Sequence, residues 1–236
     1  MKNRKKVIII GGGLGGLATA INLSKSNFEI TIIEKNSNLG GKMNIFQKDG
    51  FTFDTGPSLI TLPHIFENLF KDAGENIYEH IDLIKINPLF LYMFEKEKIK
   101  YSSDLSDIEK IFNCKKDEIN KFYQLISNGS KLFQLSEKTF FEQGLFSKPK
   151  ISNLLLLIRS PFKLFFKKYS DLIDKTFSDE KLKKIFNRYP TYVGASPYKS
   201  SGILSLIPFM ELSYGAWYIS GGLYKLIENL EKIIVS

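Results

Sequence analysis

The stretch Val7 to Gly16, VIIIGGGLGG, constrains this chain more than any other. Four consecutive aliphatic residues, Val7 to Ile10, suit a strand buried on both faces of a parallel sheet. Gly11, Gly13 and Gly16 then satisfy G-x-G-x-x-G, with Gly12 and Gly15 as additional glycines. Leu14 to Ser24 reads as a helix, with Leu17, Ile21 and Ser24 on one face and Ala18 and Ala20 beside the strand. A second strand, Glu29 to Ile33, ends at Glu34, eighteen residues past Gly16. Each part has a physical task. Gly11 permits the tight turn, Gly13 lets backbone approach a pyrophosphate, and Gly16 allows close helix–strand packing. The helix N-terminus at Leu14 and Gly15 directs free N–H groups and partial positive charge at phosphates. Glu34 stands where a carboxylate accepts both ribose hydroxyls and repels a 2′-phosphate, which argues against NADP. Glycine-rich turns are common; the order strand, glycines, helix, strand, acid is what points to a dinucleotide.

The loop after Glu34 narrows the cofactor. Lys35 opens a short polar stretch that reaches Gly40-Gly41-Lys42. A nicotinamide-binding fold does not need this second glycine pair. An extended FAD can use it as another close backbone approach beside the phosphates and ribityl chain, with Lys42 as a cation. A plain surface loop is the alternative reading, since glycine pairs mark turns anyway. Met43 to Phe53 then alternates around Asp49-Gly50, a hairpin signal. Asp54-Thr55-Gly56-Pro57-Ser58 follows directly. This order of Rossmann unit, E-K, G-G-K, hairpin and F-D-T-G-P resembles the carotenoid desaturase branch of FAD-dependent oxidoreductases, typified by bacterial phytoene desaturase. The resemblance implies that Asp54, Thr55, Gly56 and Pro57 lie near the flavin. Locally, Gly56 and Pro57 fix a turn that brings backbone against a flat ligand.

Pro63 suits the first turn of a helix running through Ile65, Phe66, Leu69 and Phe70 towards Gly74. Leu83–Ile86, Leu89–Phe94 and Ile99–Tyr101 then read as short strands that open an inserted second domain. Ile119, Phe122, Tyr123 and Ile126 recur at helical spacing, as do Leu132, Phe133 and Leu135 after Gly129, which predicts a helix pair packed on the sheet. Ile151 to Tyr169 carries an apolar run, Leu154 to Ile158, and then phenylalanines among Lys163, Lys167 and Lys168. Such a stretch suits the surface of an anionic membrane; two core helices with solvated lysines are the alternative. Further on, Tyr192-Val193-Gly194-Ala195-Ser196-Pro197-Tyr198, Ile207-Pro208-Phe209-Met210-Glu211, Gly215-Ala216-Trp217-Tyr218 and Gly221-Gly222-Leu223-Tyr224 continue the resemblance. Ser200 is placed to cap a helix through Leu206, and a last helix is predicted from Leu223 to Ile233.

Charge and composition bound the partners. The formal net charge is +8, largely from lysine, and suits either nucleic acid or an anionic membrane. The sequence carries no nucleic-acid module, so nucleic acid is not an expected partner. The lone cysteine, Cys114, precludes an internal disulfide and fits a reducing cytosol. Lys2, Arg4, Lys5 and Lys6 ahead of an apolar stretch, with Ala18-Thr19-Ala20, mimic a signal peptide, but five glycines interrupt the apolar region. No run approaches the ~18 apolar residues of a spanning helix. The expected location is cytoplasmic, peripheral on the inner face of the membrane.

The expected architecture is α/β: a Rossmann-like FAD-binding domain, incomplete, with an inserted mixed α+β substrate domain. Residues 1–75 form the first FAD segment, 76–212 the substrate and membrane-associated domain, and 213–236 the return. The chain ends at Ser236 roughly where the resemblance implies another strand of the FAD domain, so an N-terminal half of a longer or split enzyme is expected, with a non-catalytic truncated copy as the alternative. The resemblance implies hydride removal from, or isomerisation of, a lipophilic polyene such as phytoene, with the flavin as acceptor and an apolar tunnel lined by the aromatic-rich domain. Another flavin oxidoreductase of the same fold, such as an amine oxidase, is the rival enzyme. No catalytic residue is assigned. His64 and His80 read as surface or supporting residues, and no metal-ligand spacing occurs. The partners implied are the polyene, an anionic membrane surface and a missing C-terminal half.

Overall fold

In the computed structural model, which describes residues 4–112, 116–141 and 161–235, the aliphatic run forms β1 (Lys5–Ile10). It leads through the glycines into α1 (Leu14–Ser24) and β2 (Phe28–Ile33). β1 and β2 pair in parallel, Val7 opposite Ile30 and Ile9 opposite Ile32. α1 buries Leu17, Ala20 and Ile21. β3 (Ile45–Lys48) and β4 (Phe51–Asp54) form the hairpin, and Asp49 (φ 52°) and Gly50 (φ 81°) take the left-handed conformation that a two-residue type I′ turn requires. α2 (Pro63–Asp72) starts on its proline, and a single-turn α3 (Ile77–His80) is capped by Asn76, whose side-chain oxygen accepts the Tyr78 N–H. β5 (Leu83–Lys85) ends the first segment.

The chain then builds a separate compact unit from Asn87 to Gly215. β6 (Phe90–Met93) and β7 (Lys98–Tyr101) form an antiparallel hairpin, followed by α4 (Leu105–Ile111) and the long α5 (Lys116–Ser136). A 3-10 turn at Phe162–Phe166 precedes α6 (Tyr169–Thr176) and α7 (Glu180–Asn187), and two further 3-10 turns, Tyr189–Val193 and Gly202–Ser205, lead into α8 (Leu206–Tyr214). Phe112, Phe122, Phe177 and Phe186 pack ring on ring, Phe177 and Phe186 stacked with centroids 4.7 Å apart. These rings fill the core of the unit rather than line an opening.

After Gly215 the chain returns to the first unit through β8 (Trp217–Ile219), which pairs antiparallel with β5, and ends in α9 (Lys225–Val235). α9 contributes Leu226, Ile227 and Leu230 to the core that already holds Leu17, Ile21, Ile60 and Phe70.

Five expectations change. The boundaries fall after Ile86 and after Gly215, not after 75 and 212, because β5 is bonded to β8 and belongs to the nucleotide unit. The β1–β2 sheet is covered on one face only: Ile8 and Ile10 of β1 and Ile33 of β2 are 63%, 87% and 51% exposed, since no described element lies over that side. Gly129 does not divide a helix pair. α5 runs through it, because a Cβ there would lie 2.4 Å from the Ser205 carbonyl oxygen; the glycine lets α5 close on the turn before α8 rather than on a sheet. The helix expected to be capped by Ser200 is capped by Ser201 as a 3-10 turn before α8. The last helix starts at Lys225, because Gly221 and Gly222 and the turn after them occupy 221–224. Leu154 to Ile158, like Cys114, lies outside the described residues.

Candidate functional site

The site expected for a dinucleotide is assembled entirely within the first unit. β1 delivers the chain to Gly11, whose N–H donates to the Ile33 carbonyl at the end of β2. Gly16 must be glycine, because a Cβ there would meet the Gly11 carbonyl oxygen at 2.0 Å. The first bond of the helix is Leu17 N–H to the Gly13 carbonyl, so the N–H groups of Leu14, Gly15 and Gly16 have no intrahelical partner. No side chain caps this end and no acid stands in its first turn. The space outside Gly15 is open. This is the arrangement that receives a phosphate.

Glu34 is the electrostatic pole of the turn. Its Oε2 accepts the Gly12 N–H at 2.7 Å, and its Oε1 accepts the Asn36 N–H at 3.0 Å and the Asn36 side-chain amide at 2.8 Å. The backbone N–H groups of Asn36 and Gly12, with that of Lys35 behind them, hold the carboxyl below the usual glutamate range. Oε2, with one bond, keeps acceptor capacity for a ribose hydroxyl, whereas Oε1 already accepts two. The Lys35 side chain is exposed.

The second glycine pair docks on the first. Gly40 N–H donates to the Gly12 carbonyl at 2.8 Å, and Gly13 and Gly40 form a parallel bridge. At Gly40 (φ 109°) a Cβ would lie 2.2 Å from the Met43 carbonyl oxygen, so the close approach excludes other residues. The expected Lys42, Thr55, Gly56 and Pro57 meet here as well. With Gly41, Asn44, Ile45 and Phe46 they line an open cavity of about 610 Å³. Thr55 N–H donates to the Asn44 carbonyl, which ties the hairpin's exit to its entry. Asp54 is directed elsewhere: its Oδ2 accepts the Tyr218 hydroxyl at 2.9 Å and the Leu223 N–H at 3.3 Å. It joins the hairpin to the returning segment, as Tyr224 joins that segment to the Leu39 carbonyl.

Four residues of the site carry weak sequence signals. Asn36 is an amide two positions beyond an acid, an ordinary turn pattern. Asn44 and Phe46 open a strand, and Tyr218 comes from far along the chain. His80 pairs with Glu75 at 2.9 Å, away from the turn. Among the described residues no cluster of His, Cys, Asp and Glu is arranged for a metal, and no helix is long and apolar enough to cross a membrane.

These features define a Rossmann-like dinucleotide-binding protein, and the NAD(P)-binding Rossmann-like domain family matches residues 9–75. The chain is 35% identical to a 4,4'-diapolycopene oxygenase of Methylomonas, over 99% of this chain and 48% of the relative. It is 34% identical to a 1-hydroxycarotenoid 3,4-desaturase of Flavobacterium, over 96% of this chain and 47% of the relative. Among solved structures, a putrescine oxidase bound to putrescine superposes with a TM-score of 0.64 at 14% identity, over 98% of this chain and 49% of that one; this likeness is one of fold. Over nearly all of its own length the chain is similar to carotenoid desaturases and oxygenases. It spans about half the length of these relatives.

Proposed function

We propose that this chain is the nucleotide-holding portion, with part of the substrate-holding portion, of an FAD-dependent oxidoreductase that desaturates or isomerises a long polyene such as phytoene. The observation that carries the reading is the glycine turn closed by Glu34, with a second glycine pair docked on it and an open cavity beyond. Gly11 to Gly16 and the free end of α1 suit a pyrophosphate, and Glu34 suits an adenosine ribose without a 2′-phosphate. Gly40, Gly41, Lys42 and the turn at Thr55–Pro57 suit the middle of an extended dinucleotide. Flavin, when bound, supplies a hydride acceptor. The chain's own residues bind and orient it, with Ile45 and Phe46 as an apolar wall on one side. The polyene substrate rests on the relatives, whose names include both oxygenation and desaturation.

The exposed Ile8, Ile10 and Ile33 favour a second reading, in which this chain acts only when further polypeptide, in the same chain or another, covers that face. Both readings are tested by purifying the complete enzyme and its Glu34→Arg variant and measuring flavin retained after dialysis. Retention is expected to fall at least about tenfold in the variant, because a cation replaces the ribose acceptor. Equal retention would defeat the assignment. Residues 1–236 expressed alone, folded but colourless, would favour the second reading.

A further inference from the structure

The hairpin of β6 and β7 leaves one edge of β7 without a partner strand, and the register fixes which groups stand on it. Phe94 N–H donates to the Glu97 carbonyl at 2.9 Å, and Tyr92 lies opposite Ile99. Bonded and non-bonded pairs alternate along an antiparallel ladder, so the main-chain groups of Glu97, Ile99 and Tyr101 turn towards β6. Those of Lys98 and Lys100 turn away from it. Among the described residues no strand pairs with that side, and neither N–H reaches a backbone carbonyl there. Two donors and two acceptors therefore stand in a row along the open edge of β7.

This edge is one wall of a groove of about 410 Å³, to which α4 contributes Lys110 and Ile111 and the start of α7 contributes Lys181 and Leu182. Ser102, only 3% exposed, lines it too; its Oγ accepts the Asp104 N–H at 3.0 Å, and its own hydroxyl hydrogen has no acceptor among the described residues. The acids of the groove are already engaged. Asp107 holds Lys110 at 2.8 Å, Glu97 holds Lys181, and Asp179 caps α7 through the N–H groups of Lys181 and Leu182. Lys98 and Lys100 are exposed and pair with no acid among the described residues. The groove thus holds two uncompensated cations on one strand, beside the aliphatic side chains of Ile111 and Leu182.

A small anion would use the two N–H groups and be repelled by the two carbonyls on the same edge. Alternating donors and acceptors match an extended main chain instead. A second copy of β7 would set lysine against lysine, which is destabilising across strands. We propose that the open edge of β7 binds an extended acidic segment of another polypeptide as an added strand. Its alternate side chains are carboxylates facing Lys98 and Lys100, and the residue between them is apolar and meets Ile111 and Leu182. The site lies wholly in the second unit and is independent of the flavin reading, so either can fail without the other.

The test is titration of the full chain with the peptide Ac-Thr-Glu-Val-Glu-Thr-NH2, followed by amide NMR and hydrogen exchange. Binding is expected with a Kd of about 1 mM or below. At saturation, exchange of the Lys98 and Lys100 N–H groups is expected to slow at least about fivefold. The glutamine counterpart is expected to bind about three- to fivefold more weakly, because two cross-strand charge pairs are lost. N-methylation of the three central residues removes the peptide's donors and is expected to cost at least about tenfold. Lys98→Glu with Lys100→Glu is expected to lose the acidic peptide and to take Ac-Thr-Lys-Val-Lys-Thr-NH2 in its place. Circular dichroism checks that these exposed substitutions leave the fold intact. The proposal is overturned if the acidic peptide does not bind, or if its N-methylated or glutamine form binds as well. It is equally overturned if a dimer of the chain already protects those two amides.

Discussion

Replacing Arg188 by leucine removes the cation from a carboxylate that water does not reach. Glu211 is fully buried, and Arg188 Nη2 lies 3.0 and 3.2 Å from its two oxygens. Arg188 Nε donates to the Tyr92 hydroxyl at 2.7 Å, and the guanidinium lies 3.7 Å from the centre of the Phe90 ring. Leucine keeps some of the contact with Phe90 and restores none of the N–H bonds. Breaking a buried pair from one side costs about 3–5 kcal/mol. Tyr189 and Tyr192 still donate to Glu211, which favours the lower end. At a urea slope of about 2–3 kcal/mol per molar, a loss of about 3 kcal/mol lowers the midpoint for the second unit by about 1 M. Tyrosine near-UV circular dichroism follows that unit, whose core holds Tyr101, Tyr169 and Tyr189; the fluorescence of Trp217 follows the other. The double variant Arg188→Leu/Glu211→Leu no longer strands a charge. It is expected to recover at least about 1 kcal/mol, although Tyr189 and Tyr192 lose their acceptor. The reasoning fails if Arg188→Leu costs less than about 1 kcal/mol, or if the two substitutions simply add.

Two further outcomes follow from packing and titration. In most helix interiors Gly→Ala stabilises by about 1 kcal/mol; at Gly129 the close Ser205 carbonyl is expected to reverse the sign, at a cost of about 1–3 kcal/mol read from thermal unfolding. A stabilised Gly129→Ala would show that α5 and the turn before α8 are not in the described contact. Burial raises the phenols of Tyr101, Tyr169 and Tyr189 above the ordinary 10.0, so the folded unit keeps protons that the unfolded chain releases. The stability they contribute is complete below pH 10 and is lost as pH rises beyond it, which makes the second unit alkali-labile. A urea midpoint unchanged between neutral pH and strong alkali would contradict this.

The parts legible in the sequence are those whose signals are local. The strand, glycine turn and helix from Lys5 to Ser24, the hairpin around Asp49-Gly50 and the proline start of α2 depend on neighbours a few residues away. What the sequence left open depends on partners far along the chain. β5 looks like the opening of a second domain because its partner, Trp217–Ile219, comes after the whole insertion. Gly129 looks like a break because the reason for it is the Ser205 carbonyl. Asp54 stands beside the glycine and proline of the expected flavin turn, yet its carboxylate is taken by Tyr218 and Leu223. Arg188 and Glu211 each pass for solvated charges until the fold places one against the other. An aliphatic run such as Val7–Ile10 says that a strand can be covered twice; only the surrounding layers decide whether it is.

The tie from β5 to β8, and from Ile86 N–H to the Ala216 carbonyl at 2.9 Å, gives the nucleotide unit an order of manufacture. Leu17, Ile21 and Phe70 leave the ribosome early, but Leu226, Ile227 and Leu230 emerge only after residues 87–215 have been made. At ordinary translation rates that interval is roughly 10 s. During it the glycine turn is present without its lid of aliphatic residues, while the contiguous insertion is free to fold first and bring its two ends together. Within these residues the nucleotide unit is therefore closed only after the insertion, although its signature is written first.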